Sequence, residues 1–344
     1  MGHRPGVTAD TGIGEDTRRW PVSAHEASRF IGGQLPGGTP VEGLPTDGER
    51  YGYGDDPPVL IEPDLLEKPS FRAIPVADPK SVRGISGFAA FLDGTQDLRV
   101  VNQIDGILIV WATVSAAVRA RVDRRLVTWN GHAPIISGRY YFPFRYVSGL
   151  RAGLRDDPRV VDTGREDKNG SFPSRHPAAL MESAVLRVQA DRERIEQELA
   201  EAWCASESNV LFVDGSITAS AIVSSSARAI GVIKSHRRLY ADGDAFRVLV
   251  GLKAGERSSV FRVAPRTRHA VASWYLRVRN ASGRDPLFGL VRVEAALSDD
   301  ISVRADEVSR WILAEGAPLA LPDGRWDKMA YGIRDTEEFL RAIS

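Results

Sequence analysis

Hydrophobic and polar positions divide the chain into two unequal parts. Over residues 1–80, turn-forming residues such as Pro57-Pro58 interrupt the apolar positions, and only residues 23–31 have the spacing of a short helix. From Gly84 onward the apolar runs are dense. We therefore predict an irregular Pro/Gly-rich N-terminal arm over residues 1–80 and a folded domain over residues 81–344. The arm is expected to be either a flexible tail or a segment that docks on a partner.

The first part of the folded domain has the pattern of antiparallel strands. Short apolar runs occur over residues 87–92, 98–101, 107–111 and 125–129. The Asp-Gly pairs at Asp93 and Asp105 are typical of tight turns. We therefore predict three or four sequential strands in a meander, with short turns at these two pairs.

The second part of the domain alternates helices with buried strands. After a polar loop over residues 151–177, the apolar positions of residues 177–205 recur at helical spacing and predict a long amphipathic helix. Continuous apolar runs over residues 210–213 and 229–233 predict central strands covered on both faces, with a short helix between them. Further strands are predicted over residues 259–263, 272–278 and 287–293, and further helices over residues 301–314 and 336–343.

This order of elements indicates a fold class. Three antiparallel strands followed by a long helix, a central strand, a helix and another central strand are the layout of the ribonuclease-H-like α/β fold, a mixed sheet flanked by helices. Open sheets of this kind place their active sites at the carboxyl ends of strands. We therefore expect the catalytic residues at the ends of the central strands.

Two carboxylates follow two of the apolar strands. Asp93 comes after residues 88–92, and Asp214 comes after residues 210–213. If the strands are neighbours, the two side chains lie close together and repel each other, and a divalent cation relieves the repulsion. Oxygen ligands favour Mg²⁺ or Mn²⁺, and two such ions about 3.5–4 Å apart can cleave phosphodiesters. Taken singly, each Asp-Gly pair is more often a plain turn.

A third acid is expected from the long helix, which carries several glutamates. Glu196 and Glu198 flank its apolar stripe, so either can point along the sheet edge. Glu193 is expected to be a solvated surface residue. Glu182 is a less favoured candidate, because it lies further in sequence from the strand over residues 210–213.

A basic run follows the second central strand. Lys234 ends that strand, where a lysine in a phosphate site would neutralise the scissile phosphate, and Arg237 and Arg238 would hold the flanking DNA backbone. The alternative is a solvated turn with positive charges. His236 and His269 are candidates for ligands or general bases, although a surface histidine near arginines is the commoner case.

Together these segments resemble the NurA nucleases. The resemblance is carried by Phe91-Leu92-Asp93-Gly94-Thr95, the glutamate-bearing helix, and residues 211–217 and 230–235. It implies a ribonuclease-H-like fold, manganese-dependent endo- and exonuclease activity on DNA, a homodimer, and a hexameric HerA-type translocase ATPase as partner.

The resemblance also implies roles for individual residues. Asp93 and Asp214 match the two metal-binding aspartates of the family. Glu196 fits the helix glutamate best, and Glu198 is its close rival. The resemblance thus implies that Asp93, Asp214 and Glu196 bind Mn²⁺ or Mg²⁺, and Lys234, from its strand-end position, completes the predicted catalytic set.

The match weakens near the C-terminus. The family usually has a Tyr-Pro pair followed two turns later by a histidine, whereas here Gly332 follows Tyr331 and Phe339 stands near the histidine position. We expect that Asp335 or Glu338 replaces this ligand, or that the fourth ligand is missing and activity is reduced or lost. Residues 325–331, including Tyr331, have the composition either of a DNA-channel wall or of a structural cap.

Composition restricts the class of protein further. With 43% hydrophobic and 26% charged residues among 344, wholesale disorder and fibrous repeats are excluded. The single cysteine, Cys204, fits a reducing compartment. Residues 107–118, a long uncharged stretch, are shorter than the roughly 20 residues of a membrane helix, and residues 1–20 lack the apolar core of a secretory signal. We therefore expect a cytoplasmic protein without membrane segments.

Two other activities remain as alternatives. One is a catalytically weakened NurA-like subunit that binds DNA or serves as a scaffold, which the changes near Tyr331 and Phe339 favour. The other is a haloacid-dehalogenase-like phosphatase, which the hydrophobic-Asp-Gly-Thr run at Asp93 resembles. That chemistry needs a nucleophilic aspartate two residues earlier, where Phe91 stands. The favoured function is a DNA nuclease in end processing or in defence against foreign DNA.

The charge balance predicts how such a protein binds DNA. Forty-five basic and forty-five acidic residues give a formal charge of zero, but basic residues cluster over residues 119–125, 234–238 and 262–279. We expect modest DNA affinity of the isolated protein, a steep loss of affinity with salt, and a gain with divalent metal or the partner ring. Titration of labelled DNA at increasing salt measures this; affinity that does not change with salt would contradict it.

Overall fold

The computed structural model describes residues 57–344, apart from residues 80, 83–85, 105, 124, 148–154, 167–169 and 317–327. The predictions for residues 1–56, including the helix over residues 23–31, lie outside the described residues. One compact unit comprises Thr46–Ala281 and Pro286–Ser344, and it contains every helix and strand of the described residues. A second unit, Met1–Pro45 with Ser282–Asp285, lies almost entirely outside them.

The protein is α/β, with a large mixed sheet flanked by helices. The strands are β1 (Val59–Leu60), β2 (Asp64–Leu65), β3 (Ala73–Pro75), β4 (Phe88–Ile104), β5 (Ile107–Val122), β6 (Arg125–Thr128), β7 (Ile135–Phe142), β8 (Val160–Asp162), β9 (Val210–Asp214), β10 (Ala229–Ile233), β11 (Arg238–Leu239), β12 (Glu256–Ser258), β13 (Phe261–Val263), β14 (Val271–Arg277) and β15 (Leu290–Ala295). The helices are α1 (Pro177–Ser206), α2 (Ala221–Ser224), α3 (Asp244–Gly251), α4 (Ile301–Ala314) and α5 (Tyr331–Ile343), and Phe144–Tyr146 form a 3₁₀ turn.

The sheet has a parallel centre with antiparallel pairings on both sides of it, and its edge strand β8 is parallel to β7. Its strand order in the described residues is β2-β13-β14-β15-β10-β9-β4-β5-β7-β8, with β12 pairing β14 and β3, and β6 pairing β5. β4, β5 and β7 are mutually antiparallel, whereas β9 runs parallel to β4 and β10 runs parallel to β9. β15 then returns antiparallel to β10. The antiparallel pairing of this region and the two central strands are confirmed, but the strands predicted over residues 87–92 and 98–101 are one strand, β4, and β7 was not predicted.

Two hydrophobic cores lie on opposite faces of this sheet. Leu92 on β4 packs with Leu199 of α1 in one core. Phe91 and Phe212 pack with Ile333 of α5 in the other. Successive residues of a strand point to opposite faces, so neighbouring apolar residues supply both cores. The continuous apolar runs of the central strands follow from this arrangement.

The predicted turn at Asp93-Gly94 is wrong. Both residues lie inside β4, a single strand of 17 residues that pairs with β5 from Ala90–Ala120 to Ile104–Ile107. The long ladder overrides the local turn preference of an Asp-Gly pair. Helix α1 ends one residue beyond its prediction, and α5 begins five residues earlier than predicted, at Tyr331.

The described end of the predicted arm joins the sheet. β2 pairs with β13 and β3 pairs with β12 in the large sheet, whereas β1 and β11 form a separate two-stranded sheet. The Glu67 carboxylate accepts hydrogen bonds from Arg257 Nη1 at 2.7 Å and from the Val260 amide at 3.0 Å. Burial works to raise the pKa of Glu67, but the hydrogen bond and charge of Arg257 outweigh it and lower the pKa. The Glu67–Arg257 ion pair therefore holds the segment of residues 57–79 against the sheet.

None of the helices in the described part of the chain is long and apolar enough to span a membrane.

Helix α5 approaches β4 closely because one of its residues is glycine. A Cβ added at Gly332 would overlap the ring of Phe91. Both residues are buried, so neither the ring nor the helix can turn toward solvent. The glycine therefore sets the distance between α5 and the sheet.

We expect Gly332→Ala to destabilise the protein by about 1–3 kcal/mol, because the added methyl group overpacks this contact. Chemical denaturation measures the free energy of unfolding. The matched control is Gly251→Ala at the end of α3, where a Cβ meets nothing within 4 Å and alanine is the better helix former. Equal stability of the two variants would contradict the packing argument.

Candidate metal centre

Parallel pairing of two strands brings two aspartates side by side. Leu92 of β4 is the partner of Val213 of β9, so Asp93 and Asp214 follow in adjacent positions. β9 ends at Asp214, whereas β4 continues beyond this point. The structure thus brings together the two acids that the sequence selected, with Asp93 inside a strand rather than at its end.

The Asp93 carboxylate is buried, and only one of its two oxygens accepts a hydrogen bond from the described residues. Its residue is 4% exposed. Oδ1 accepts a hydrogen bond from the Gly94 amide at 2.8 Å, and the buried Oδ2 has no hydrogen-bond partner among the described residues. Burial, and then the negative charge of Asp214, raise the pKa of Asp93 well above its ordinary value. A bound cation would relieve both the missing bond and the repulsion.

A third carboxylate comes from the C-terminal helix α5. One ligand oxygen from each of Asp93, Asp214 and Glu337 lies within 4.8 Å of the others. Glu337 is buried on the same helix face as Ile333 and Leu340. A glutamate at an apolar-stripe position is the signal that could have identified it from the sequence.

Asp335 and Glu338, the acids expected to replace the C-terminal ligand, lie outside the carboxylate cluster. Asp335 accepts from Arg119 Nε at 2.9 Å, and Glu338 accepts from Arg334 Nε at 2.8 Å, with the Glu338 side chain 61% exposed. Neither joins the cluster. Phe339, near the expected histidine position, packs under the Arg119 guanidinium at 4.4 Å. The helix thus presents Glu337 to the aspartates and its neighbours to arginines.

Glu196 lies beside the cluster but outside it. Its Oε1 accepts from Arg192 Nη1 at 2.6 Å, and the side chain packs so closely on Gly94 that a Cβ there would overlap it. Burial raises the pKa of Glu196 to about 7, although Arg192 acts against this. The other helix glutamates are further removed, since Glu182 and Glu198 are exposed and Glu198 pairs with Arg194.

Lys234 joins the cluster as predicted from its place at a strand end. It follows β10, where Val232 pairs with Asp214, and its Nζ donates to Asp214 Oδ2 at 2.7 Å. The two side chains are 7% and 12% exposed. The centre therefore combines buried carboxylates with one buried ammonium group.

A cavity of about 880 Å³ opens onto the cluster. Arg192, Lys234 and Arg341 are the basic residues that line it. Arg237, Arg238 and Tyr331, predicted to contact DNA, do not line it. Arg238 belongs to β11 at its pairing with β1, and Tyr331 is 60% exposed at the start of α5.

The remaining sequence candidates have structural partners. Arg119 and Arg121, from the first basic cluster, pair with Asp335 and Glu315. His236 is buried with Nε2 at 2.8 Å from the Leu290 carbonyl oxygen. Burial, and then the charge of Lys328, lower its pKa well below the ordinary value, so it is neutral at physiological pH. His269 is exposed.

The donor set fits a hard divalent cation. Carboxylate oxygens are the ligands that Mg²⁺ and Mn²⁺ prefer, whereas zinc sites use nitrogen and sulfur. Asp93, Asp214 and Glu337 supply oxygens, and one buried oxygen of Asp93 has no other partner among the described residues.

Comparison with models of known protein families finds no match for this chain, and comparison with curated proteins finds none either. The functional argument therefore depends on the geometry of the site.

We expect Mn²⁺ binding to weaken as the pH falls. The pKa of Asp93 is raised above its ordinary value of 3.8, so the free protein holds a proton there at pH values at which an exposed aspartate has lost it. A cation must displace this proton, which changes the dissociation constant by up to about tenfold per pH unit. Calorimetric titration with Mn²⁺ in buffers of different ionisation enthalpy counts the protons released.

The controls are Asp93→Asn and Glu338→Gln. Asp93→Asn is expected to lose both metal binding and the proton release. Glu338→Gln, on the same helix but exposed, is expected to retain both. Binding with unchanged affinity in Asp93→Asn, or without pH dependence in the parent, would contradict the assignment.

Proposed function

We propose that this protein is a metal-dependent nuclease that hydrolyses phosphodiester bonds in DNA. The observation that supports this best is the cluster of Asp93, Asp214 and Glu337, with ligand oxygens within 4.8 Å of one another. The cluster lines a cavity that also holds Lys234 and Arg192. Buried acids that can hold a cation, next to basic side chains that can hold phosphates, are the elements of phosphoryl-transfer catalysis.

The strand arrangement supports a ribonuclease-H-like fold. The central part of the sheet has the order β7-β5-β4-β9-β10. β4, β5 and β7 form the antiparallel meander, and α1 leads to β9, which is parallel to β4. This is the layout expected from the sequence, and the candidate centre lies where the parallel pairing ends.

Within this fold class, we place the protein close to the NurA nucleases. Asp93 and Asp214 take the positions of the family's aspartates, and Glu337 takes the role of the missing C-terminal histidine. The partner would be a hexameric HerA-type ATPase and the assembly a homodimer, acting in DNA end processing or in defence against foreign DNA. Support for this comes from the sequence motifs and from the acids gathered around them.

Residues of the chain would divide the chemistry between them. Mn²⁺ or Mg²⁺, held by Asp93, Asp214 and Glu337, would supply an activated water and charge stabilisation. Lys234 would neutralise the scissile phosphate. Arg192 and Arg341, which line the same cavity, would orient the flanking phosphates. Glu196 Oε2 would accept a proton near neutral pH, since the pKa of this residue is raised to about 7.

A non-catalytic DNA-binding or scaffolding subunit is the second candidate. The Arg192–Glu196 ion pair favours it, because the helix glutamate expected to bind metal is neutralised by a neighbour at 2.6 Å. The phenylalanine at position 339 favours it as well. The buried Asp93 Oδ2, which has no hydrogen-bond partner in the described part of the chain, favours the nuclease.

We expect the purified protein to cut linear double-stranded or single-stranded DNA in the presence of Mn²⁺. Asp93→Ala, Asp214→Ala and Glu337→Gln are each expected to lose at least about 100-fold in rate, because each removes a metal ligand. Glu338→Gln is the matched control on α5 and is expected to retain the parent rate. Gel analysis of end-labelled DNA measures the rates.

The outcomes separate the candidates. Cleavage that survives both aspartate substitutions would overturn the site. Cleavage that is lost in Asp93→Ala and Asp214→Ala but unaffected in Glu337→Gln would overturn the role of Glu337. A parent that binds DNA but does not cut it, even with its ATPase present, would establish the scaffold.

A further inference from the structure

We propose that Lys234 takes the place of a second metal cation, so that this centre binds a single divalent ion. The inference deepens the proposed nuclease function and rests on the metal centre of that proposal. It differs from the two-ion arrangement expected from the sequence. Three independent features of the site support it: the free carboxylate oxygens, the position of Glu196 and the balance of charge.

The first feature is that both aspartates have one oxygen already engaged. Asp93 Oδ1 accepts from the Gly94 amide at 2.8 Å, and Asp214 Oδ2 accepts from Lys234 Nζ at 2.7 Å. A carboxylate shared by two ions about 3.5–4 Å apart can offer one oxygen to each of them, which requires both oxygens to be available. Here each aspartate keeps one oxygen for an ion, and Glu337 completes one set of ligands.

The second feature is the ion pair of Glu196. This residue would be the natural ligand for a second ion, since it packs against Gly94 next to Asp93. Its Oε1, however, accepts from Arg192 Nη1 at 2.6 Å. The negative charge of Glu196 is therefore already paired with a protein cation.

The third feature is charge. Three carboxylates and the Lys234 ammonium group leave two negative charges, and Arg341 Nη2, 4.0 Å from Glu337 Oε2, offsets one of them, so a single divalent ion already more than balances the centre. The Lys234 side chain is 7% exposed, and a buried cation is stable only where it is paired. A second divalent ion would have to lie against this ammonium group at low dielectric, where repulsion is strong.

The ammonium group is also held in position. The Lys234 carbonyl oxygen accepts from Lys328 Nζ at 3.0 Å, and the Lys234 Nζ lies 3.9 Å from Met329 Sδ. Because Lys234 begins directly after β10, its backbone is fixed by the pairing of that strand with β9. The cation is thus a built part of the centre rather than a mobile surface side chain.

The test counts bound ions in the absence of DNA. Mn²⁺ is titrated into the full-length protein while the electron paramagnetic resonance signal of free Mn²⁺ is followed. We expect one ion per chain for the parent. Lys234→Met, which keeps the length of the side chain and removes its charge, is expected to bind a second ion. Two ions in the parent, or one ion with unchanged affinity in Lys234→Met, would overturn the inference.

Three further variants make the result specific. Lys234→Arg keeps the positive charge and is expected to bind one ion. If it does, the second ion in Lys234→Met is due to the lost charge and not to misfolding caused by substitution at this position. Lys253→Met, at an exposed lysine, is expected to match the parent. Asp93→Asn is expected to bind no ion. Because no DNA is present, a protein that binds one ion but cuts nothing would retain this inference and lose the proposed nuclease.

Discussion

The repulsion between Asp93 and Asp214 is the constraint around which the centre is organised. Parallel pairing of β4 with β9 leaves the two carboxylates adjacent, and β9 ends at that point. Asp93 is buried, so its charge is neither solvated nor screened. Such a pair persists in a folded protein only if cations or protons compensate it, and Lys234 compensates Asp214 on one side. The stability of this region therefore depends on what occupies the other side.

Glycines determine how closely the flanking helices approach this pair. At Gly94, the absence of a Cβ leaves room for the Glu196 carboxylate of α1. At Gly332, it lets α5 pack on the ring of Phe91, one residue before Leu92 in β4. The two contacts lie against the same strand, so β4 receives acids from two helices as well as from β9. A larger residue at either position would move a carboxylate by displacing the element that carries it.

The sequence identified those features that are local in the chain, and it missed those that depend on tertiary contacts. Apolar runs that end in an acid revealed Asp93, Asp214 and the strands before them. The turn at Asp93-Gly94 was wrong because pairing with β5 outweighs local preference. Glu337 was missed because Asp335 and Glu338 were chosen for their closeness to the family's histidine position. The buried face of α5, on which Glu337 lies, depends on packing against the sheet. The short strands before residue 80 could not be predicted, since each depends on a partner strand far along the chain.

The zero net charge now has a physical interpretation at the level of single residues. Arg119 and Arg121 are ion-paired, and Arg257, at 1% exposed, is held between Glu67 and Asp306. Part of the basic charge seen in the sequence is thus paired within the fold and is not available to attract DNA. Positive charge facing the cavity comes from Arg192, Lys234 and Arg341, and the acids beside them cancel part of it. Under the proposed function, a divalent ion would reverse this local balance at the point where a phosphate must bind, so metal binding would favour DNA binding even though the chain carries no formal net charge.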